Sequence, residues 1–249
     1  MSELYTRPKS ILPTASSYCP GCLHATATRI IAEAIDELGQ QDNVIYVLPV
    51  GCSTQGLVSW DVDIIGSAHG RAPAVATGIK RCRPDCLVFC YQGDGDLASI
   101  GLAEIMSAAN RGENITVIFA NNSIFGMTGG QMAPTTLVGQ KTTTSPYGRD
   151  EAWCGAPIKM SEMLAQVPGS YYIERCAVNN NANIIKCKKA IKKAMEYQLE
   201  GKGFCMIEVL SACPTNWGLS PVEAMKWLEG NMIPYYPLGV YKDKGAEQK

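Results

Sequence analysis

Residues 87–122, LVFCYQGDGDLASIGLAEIMSAANRGENITVIFANN, decide the fold. The segment opens on an apolar run at 87–91 and closes on another at 115–120, each the length of a buried strand. Between them, 97–111 places apolar residues at helical spacing, so the unit reads strand–helix–strand. Polar signals end both runs: Gly93-Asp94-Gly95-Asp96 after the first and Asn121-Asn122 after the second, 28 positions from Asp94 to Asn122. A carboxylate flanked by glycines and an amide oxygen one crossover later can hold a hard cation between them. The glycines let a diphosphate come close to the backbone.

Working outward, 1–18 is a polar arm with two prolines, and Cys19-Pro-Gly-Cys22 is a tight turn into a helix over 24–38. A strand at 44–50, bent by Pro49, ends at Gly51-Cys52; a short strand at 62–65 and a small-residue helix at 70–80 follow. Downstream, 123–146 is a long loop without helix or strand period, and such loops inside a domain are usually functional. Then come a strand at 171–178, a helix at 183–199, a strand at 204–210, a helix at 221–229 and a Pro/Tyr-rich tail from about 232. This alternation predicts an α/β fold, a mostly parallel sheet with helices on both faces, built as one domain over 19–249.

The chain has 249 residues, 46% of them hydrophobic, enough for a full core, and a net charge of −1 that points to neither nucleic acid nor a membrane surface. The lysines of 186–193 read as a solvated helix face. The start, MSELYTRPKS, lacks the apolar stretch of a secretion signal and no run approaches a membrane span, so a cytoplasmic location is expected. Eleven cysteines in a reducing compartment should not form a disulfide framework. Cys82, Cys86, Cys90, Cys176, Cys187 and Cys205 lie in or beside apolar segments and are expected to pack. Cys154 is ambiguous, whereas Cys19, Cys22, Cys52 and Cys213 have polar, turn-rich neighbours and need another explanation.

Cys52, Asp94, Asn122 and Cys213 each fall just beyond a predicted strand, which in a parallel sheet puts them along one edge, where ligands bind. Magnesium wants six oxygens in octahedral order. Asp94 supplies a carboxylate, Asn122 an amide oxygen and Ile124 a backbone carbonyl, with diphosphate oxygens and water for the rest. Thiamin diphosphate is anchored in this way. Gly93, Gly95, Asp96, Gly126 and the Cys52-Ser53 pair complete the cofactor-facing set, and Met127 either fills the bend of a folded cofactor or packs. His69-Gly70-Arg71 opens a helix; His69 is either a satisfied structural residue or, with Arg71, a contact to the diphosphate or a substrate carboxylate. His24 reads as structural. The CPGC pair suits zinc, a redox pair or an iron–sulfur cluster, and with Cys52 and Cys213 the spacing admits zinc and [4Fe–4S] alike. Zinc has no redox function, whereas an electron acceptor beside thiamin diphosphate does.

From YCPGC through GCS, HGRAPAVATGIK, GDGD and NN to SACPTNW, the chain resembles the thiamin-binding β subunit of the 2-oxoacid:ferredoxin oxidoreductases over nearly its whole length. The stretch GDGDLASIGLAEIMSAANRGENITVIFANNSIFGMTGGQMAPTT is most similar to members acting on 2-oxoisovalerate or 2-oxoglutarate. The resemblance implies that Cys19, Cys22, Cys52 and Cys213 ligate a [4Fe–4S] cluster, that Asp94, Asn122 and the Ile124 carbonyl hold Mg2+, and that His69–Arg71 lines the cofactor pocket. It further implies coenzyme A-dependent oxidative decarboxylation of a 2-oxoacid to acyl-CoA and CO2, with electrons passed to ferredoxin. The glutamate that activates thiamin is then supplied by an α subunit, and γ and ferredoxin-like δ subunits are further possible partners. Gln55, three residues after Cys52, is neutral, and the later loop is rich in Met, Thr and Gly, so a branched 2-oxoisovalerate suits better than 2-oxoglutarate. Two other classes compete: a non-oxidative thiamin enzyme, which would not need the four cysteines, and a zinc-stabilised binding module in which GDGD is only a turn.

Overall fold

The structure is a computed structural model that describes residues 6–247; positions 1–5 of the expected arm lie outside the described residues. Side chains on the central strands alternate between two cores, and this alternation builds the layers. The strands are β1 (Val44–Leu48), β2 (Asp63–Gly66), β3 (Leu87–Gly93), β4 (Thr116–Asn121), the two-residue pair β5 (Ile124–Phe125) and β6 (Gln131–Met132), then β7 (Ser170–Ala177), β8 (Phe204–Leu210) and β9 (Gly239–Asp243). The helices are α1 (His24–Glu37), α2 (Ala72–Cys82), α3 (Leu102–Arg111), α4 (Glu151–Cys154), α5 (Met160–Gln166), α6 (Asn181–Leu199), α7 (Pro214–Trp217) and α8 (Pro221–Trp227), with two short helical turns in the tail at Ile233–Tyr235 and Lys244–Glu247. On β3 and β4, Leu87, Phe89, Tyr91 and Ile118 face Ile31, Ile35, Ile191 and Ala194 of α1 and α6. Val88, Cys90, Val117 and Phe119 face the opposite way, onto Ala76, Ile105, Ala108 and Leu164 of α2, α3 and α5. Each such large side chain contributes about 1.5–3 kcal/mol by leaving water.

The main sheet has seven strands in the order β2-β1-β3-β4-β8-β7-β9, parallel throughout except for the antiparallel β7–β9 pair. The mostly parallel α/β sheet with helices on both faces is therefore what the sequence pattern predicts. Register sets the working edge: Gly93 lies opposite Ala120, and Asn121 opposite Leu210, so the chain leaves β3, β4 and β8 at neighbouring points.

Four local expectations change. The helix expected over 97–111 instead opens as a wide π-helical turn over Gly95–Ile100 before α3 begins at Leu102. The cause is a long-range contact: a Cβ on Gly101 would stand 2.5 Å from the Gly70 carbonyl oxygen, so two backbones touch where the helix would otherwise run straight. The loop after Asn122 holds the β5–β6 pair. The tail adds β9 to the sheet edge and buries Tyr236. Cys82 ends α2 and is exposed, so it does not pack, while Cys86, Cys90, Cys176, Cys187 and Cys205 are buried as expected. Along the arm, Leu12 N–H donates to the Ser59 carbonyl (2.8 Å) and Asp61 N–H to the Ser10 carbonyl (2.9 Å), which lays the arm beside the segment that follows Cys52.

Candidate active site

Cys52, Asp94, Asn122 and Cys213 follow β1, β3, β4 and β8, four neighbouring strands of the sheet. A cleft opens at this edge, and His24, Cys52, His69, Gly93, Asp94, Gly95, Asp96, Asn122, Ile124, Phe125, Gly126 and Met127 are among its lining residues. Ser53, Gly70 and Arg71 are not: Ser53 is buried behind the lining, Gly70 binds Asp96 through its N–H, and Arg71 forms an ion pair with Glu104.

Asp94 is buried, yet no Lys or Arg lines the cleft beside it. Its Oδ1 accepts from Gly95 N–H (2.9 Å); its Oδ2 accepts from Ile124 N–H (3.0 Å) and the Thr135 hydroxyl (2.8 Å). Burial pushes its pKa up to about 7, and these three donors only partly hold it down. A buried carboxylate oriented by neutral donors and lacking a counter-charge fits a bound cation. The turn that follows Asn121 is strained: Ser123 has φ 57°, the one positive φ at a non-glycine among the described residues. That turn is held by Asn121 Oδ1, which accepts from Ser123 N–H (3.1 Å), and it brings Ile124 N–H to Asn122 Oδ1 (3.3 Å) as well as to Asp94.

Asp96 has a different setting. Its Oδ1 accepts from Gly70 N–H (2.8 Å), its Oδ2 accepts from the Gln92 amide, and His69 Nδ1 lies 2.5 Å from Oδ1 without hydrogen-bond alignment. The Asp96 carboxylate therefore anchors the His69–Gly70 segment, although the residue also lines the cleft. His24 is buried, with Nδ1 2.5 Å from the Tyr91 hydroxyl and its ring stacked on Tyr18; burial lowers its pKa to about 4, so it is neutral.

The four turn-associated cysteines share one field. The Cys52 thiol is pushed up to about 12, first by burial and then by Cys22, Cys213, Cys19 and Asp94. Burial pushes Cys22 up to about 11, reinforced by Cys213 and Cys19. Cys213 is raised by burial and held back by donors from Asn216. Thiols that raise one another this way become thiolates together only when a metal centre supplies positive charge. The CPGC turn packs on the start of α8: a Cβ on Gly21 would collide with Pro221 at 2.4 Å. Gly126 joins the two halves of the site. A Cβ there would stand 3.0 Å from Cys52 Sγ, 3.7 Å from Asn122 Nδ2 and 3.8 Å from Cys213 Sγ.

Sequence reasoning missed Thr135, Gln92, Phe125 and Asn216. Asn216 stands inside the quoted SACPTNW stretch, three residues after Cys213, and that proximity was the available signal. It also missed the ion network behind β4. Glu208, fully buried, accepts from Asn121 Nδ2 (2.9 Å), Ser161 Oγ (2.5 Å) and Arg175 Nε (2.9 Å). The buried Arg175 also binds Glu162, the Tyr241 hydroxyl and the Pro237 carbonyl. The tail reaches the cleft by a second route, as Tyr236 donates to the Thr135 carbonyl at 2.7 Å.

With this geometry in view, the family model described as "Thiamine pyrophosphate enzyme, C-terminal TPP binding domain" matches residues 50–209, which run from just after β1 into β8. The chain belongs to the thiamin diphosphate-binding subunits of the 2-oxoacid:ferredoxin oxidoreductases. It is 45% identical over 247 residues to the ketoisovalerate oxidoreductase subunit VorA of Methanothermobacter thermautotrophicus, matching 99% of this chain and 52% of that relative. The chain thus spans about half the length of the VorA relatives it matches. It is 36% identical to the 2-oxoglutarate synthase subunit KorB of Archaeoglobus fulgidus, matching 96% of this chain and 88% of that one. A solved 2-oxoglutarate:ferredoxin oxidoreductase from Magnetococcus marinus, with 2-oxoglutarate, coenzyme A and succinyl-CoA bound, shares the fold: TM-score 0.79, 24% identity, 98% of this chain and 86% of that one.

Proposed function

We propose that the chain is the thiamin diphosphate- and cluster-binding β subunit of a coenzyme A-dependent 2-oxoacid:ferredoxin oxidoreductase, with 2-oxoisovalerate as substrate. The observation that carries this reading is the position of Gly126, where a Cβ would stand within 4 Å of Cys52 Sγ, Cys213 Sγ and Asn122 Nδ2 alike. A hard-oxygen pocket and a soft-sulfur cage then lie within a few atoms of each other. Asp94, Asn122 and the Ile124 carbonyl would hold Mg2+ on the diphosphate, and Cys19, Cys22, Cys52 and Cys213 would hold a [4Fe–4S] cluster. Among the described residues no three His, Cys, Asp or Glu side chains converge tightly enough to grip a single ion.

Bound there, thiamin diphosphate supplies the electron sink that decarboxylation of a 2-oxoacid requires, and the cluster supplies a path for single electrons. The chain's own residues prepare the site. Three neutral donors, the Gly95 N–H among them, fix the Asp94 carboxylate, and later backbone N–H groups of the π-helical turn over Gly95–Ile100 would help hold the diphosphate. Asp96 sits against the Nδ1 side of His69, and both residues line the cleft. His69 and Arg71 are the residues assigned to substrate or diphosphate contact; Arg71 would have to leave Glu104 to take part. The activating glutamate comes from an α subunit, with γ and δ subunits and ferredoxin as further partners, in the cytoplasm. No helix among the described residues is long and apolar enough to cross a membrane.

The substrate assignment draws on the VorA relatives and on a cleft lining without Lys or Arg, so a second carboxylate would need Arg71 released from Glu104 or a cation from a partner chain. Gln55 is outside the lining and no longer contributes to that argument. The KorB relatives favour 2-oxoglutarate as the second reading. The test is anaerobic co-purification with partner chains, followed by iron, sulfide and thiamin diphosphate analysis and coenzyme A-dependent dye reduction. A brown complex turning over 2-oxoisovalerate is expected. A colourless complex that retains thiamin diphosphate would overturn the redox reading in favour of a non-oxidative enzyme. One zinc without iron would point to the binding module.

A further inference from the structure

Asn216 touches both halves of the site. Its Nδ2 donates to the Gly126 carbonyl at 2.7 Å and to Cys213 Sγ at 3.4 Å. One amide group has two hydrogens, and both are used on these partners. The opposite amide orientation would set Oδ1 against a carbonyl and a sulfur, two acceptors, so the partners themselves decide which way the amide points. Its position is fixed from below by α7, where Trp217 N–H donates to the Cys213 carbonyl at 2.9 Å. Gly126 belongs to the segment between Ile124 and Thr128 that lines the cleft.

We propose that Asn216 is a positioning residue that sets the potential of the iron–sulfur cluster and locks its Cys213 corner to the cleft loop through Gly126. The inference rests on Cys213 being a cluster ligand. A donor on a cluster sulfur gains strength as that sulfur becomes more negative, so it favours the reduced state and raises the potential. A residue one step removed from a metal characteristically acts by such orientation and tuning. Because the same amide grips Gly126, any movement of the cleft loop is felt at the sulfur.

The test uses the complex with its partner chains, prepared anaerobically. Iron and sulfide per chain are measured first; the cluster midpoint is then read by redox titration followed by electron paramagnetic resonance. Asn216→Leu keeps bulk and removes both side-chain N–H donors, leaving the backbone N–H that also reaches Cys213. It is expected to hold wild-type iron and to show a more negative midpoint, equivalent to about a tenfold fall in the reduced-to-oxidised ratio at a fixed poise, or about 59 mV for one electron. Asn216→Ser, whose hydroxyl reaches at most one of the two partners, is titrated alongside and should fall between. A wild-type midpoint in whichever variant keeps full iron overturns the role of Asn216 and leaves the cluster assignment standing. A wild-type complex without iron sinks the cluster assignment, and this inference with it.

Discussion

Two buried carboxylates at the same edge of the sheet have opposite settings. Glu208 on β8 meets Arg175, Asn121 and Ser161, and its charge is answered entirely from within the chain. Asp94, after β3, meets only neutral donors, and no lining Lys or Arg balances it. A buried charge that is paired holds a fold together; one that is oriented but left unbalanced marks the place for a ligand. Asp96 shows how local the distinction is, since two residues on from Asp94 its carboxylate is engaged by Gly70, Gln92 and His69.

The strongest test of this contrast removes the cation from the closed network. Arg175→Met should destabilise the chain by about 3–5 kcal/mol, because Glu208 and Glu162 lose their partner, and denaturant unfolding should show it. Asp94→Asn should do the reverse: thermal stability holds without metal, while magnesium-dependent binding of thiamin diphosphate falls about a hundredfold, some 2.7 kcal/mol, by calorimetry on the complex. Equal loss of stability in both variants would erase the distinction. Thr135→Val removes one donor from Asp94 and should weaken the same binding about tenfold. The smallest effect concerns Glu162. Burial pushes its carboxyl up, but the Arg175 hydrogen bond and charge outweigh that and leave it below its ordinary 4.5. The folded chain therefore binds fewer protons than the unfolded one as pH drops below 4.5, and stability present above that value is lost as pH falls through the lowered folded pKa. Glu162→Gln should flatten this acid limb, by at most about 1 kcal/mol in a series of urea midpoints.

Much of this was legible in advance. Apolar runs at 87–91, 115–120 and 204–210 announced buried strands because a parallel sheet covered on both faces needs side chains that avoid water in both directions. Polar residues directly after those runs, Asp94, Asn122 and Cys213, marked the edge where the backbone leaves the sheet. Other features were hidden because their causes lie far along the chain. The π-helical turn depends on Gly70 pressing on Gly101, and the edge strand β9 is a short, mixed-polarity segment recruited by β7. Thr135 reaches Asp94 across 41 positions, and Asn216 reaches Gly126 across 90.

Composition and periodicity, which act between near neighbours, were enough for the layered α/β sheet, its two cores and the list of chemically capable groups. They could not say which of those groups are balanced. That waited on folding, because whether a buried acid or thiol finds a counter-charge depends on strands and loops brought together from distant parts of the chain, where the low polarity of the interior makes each partner count.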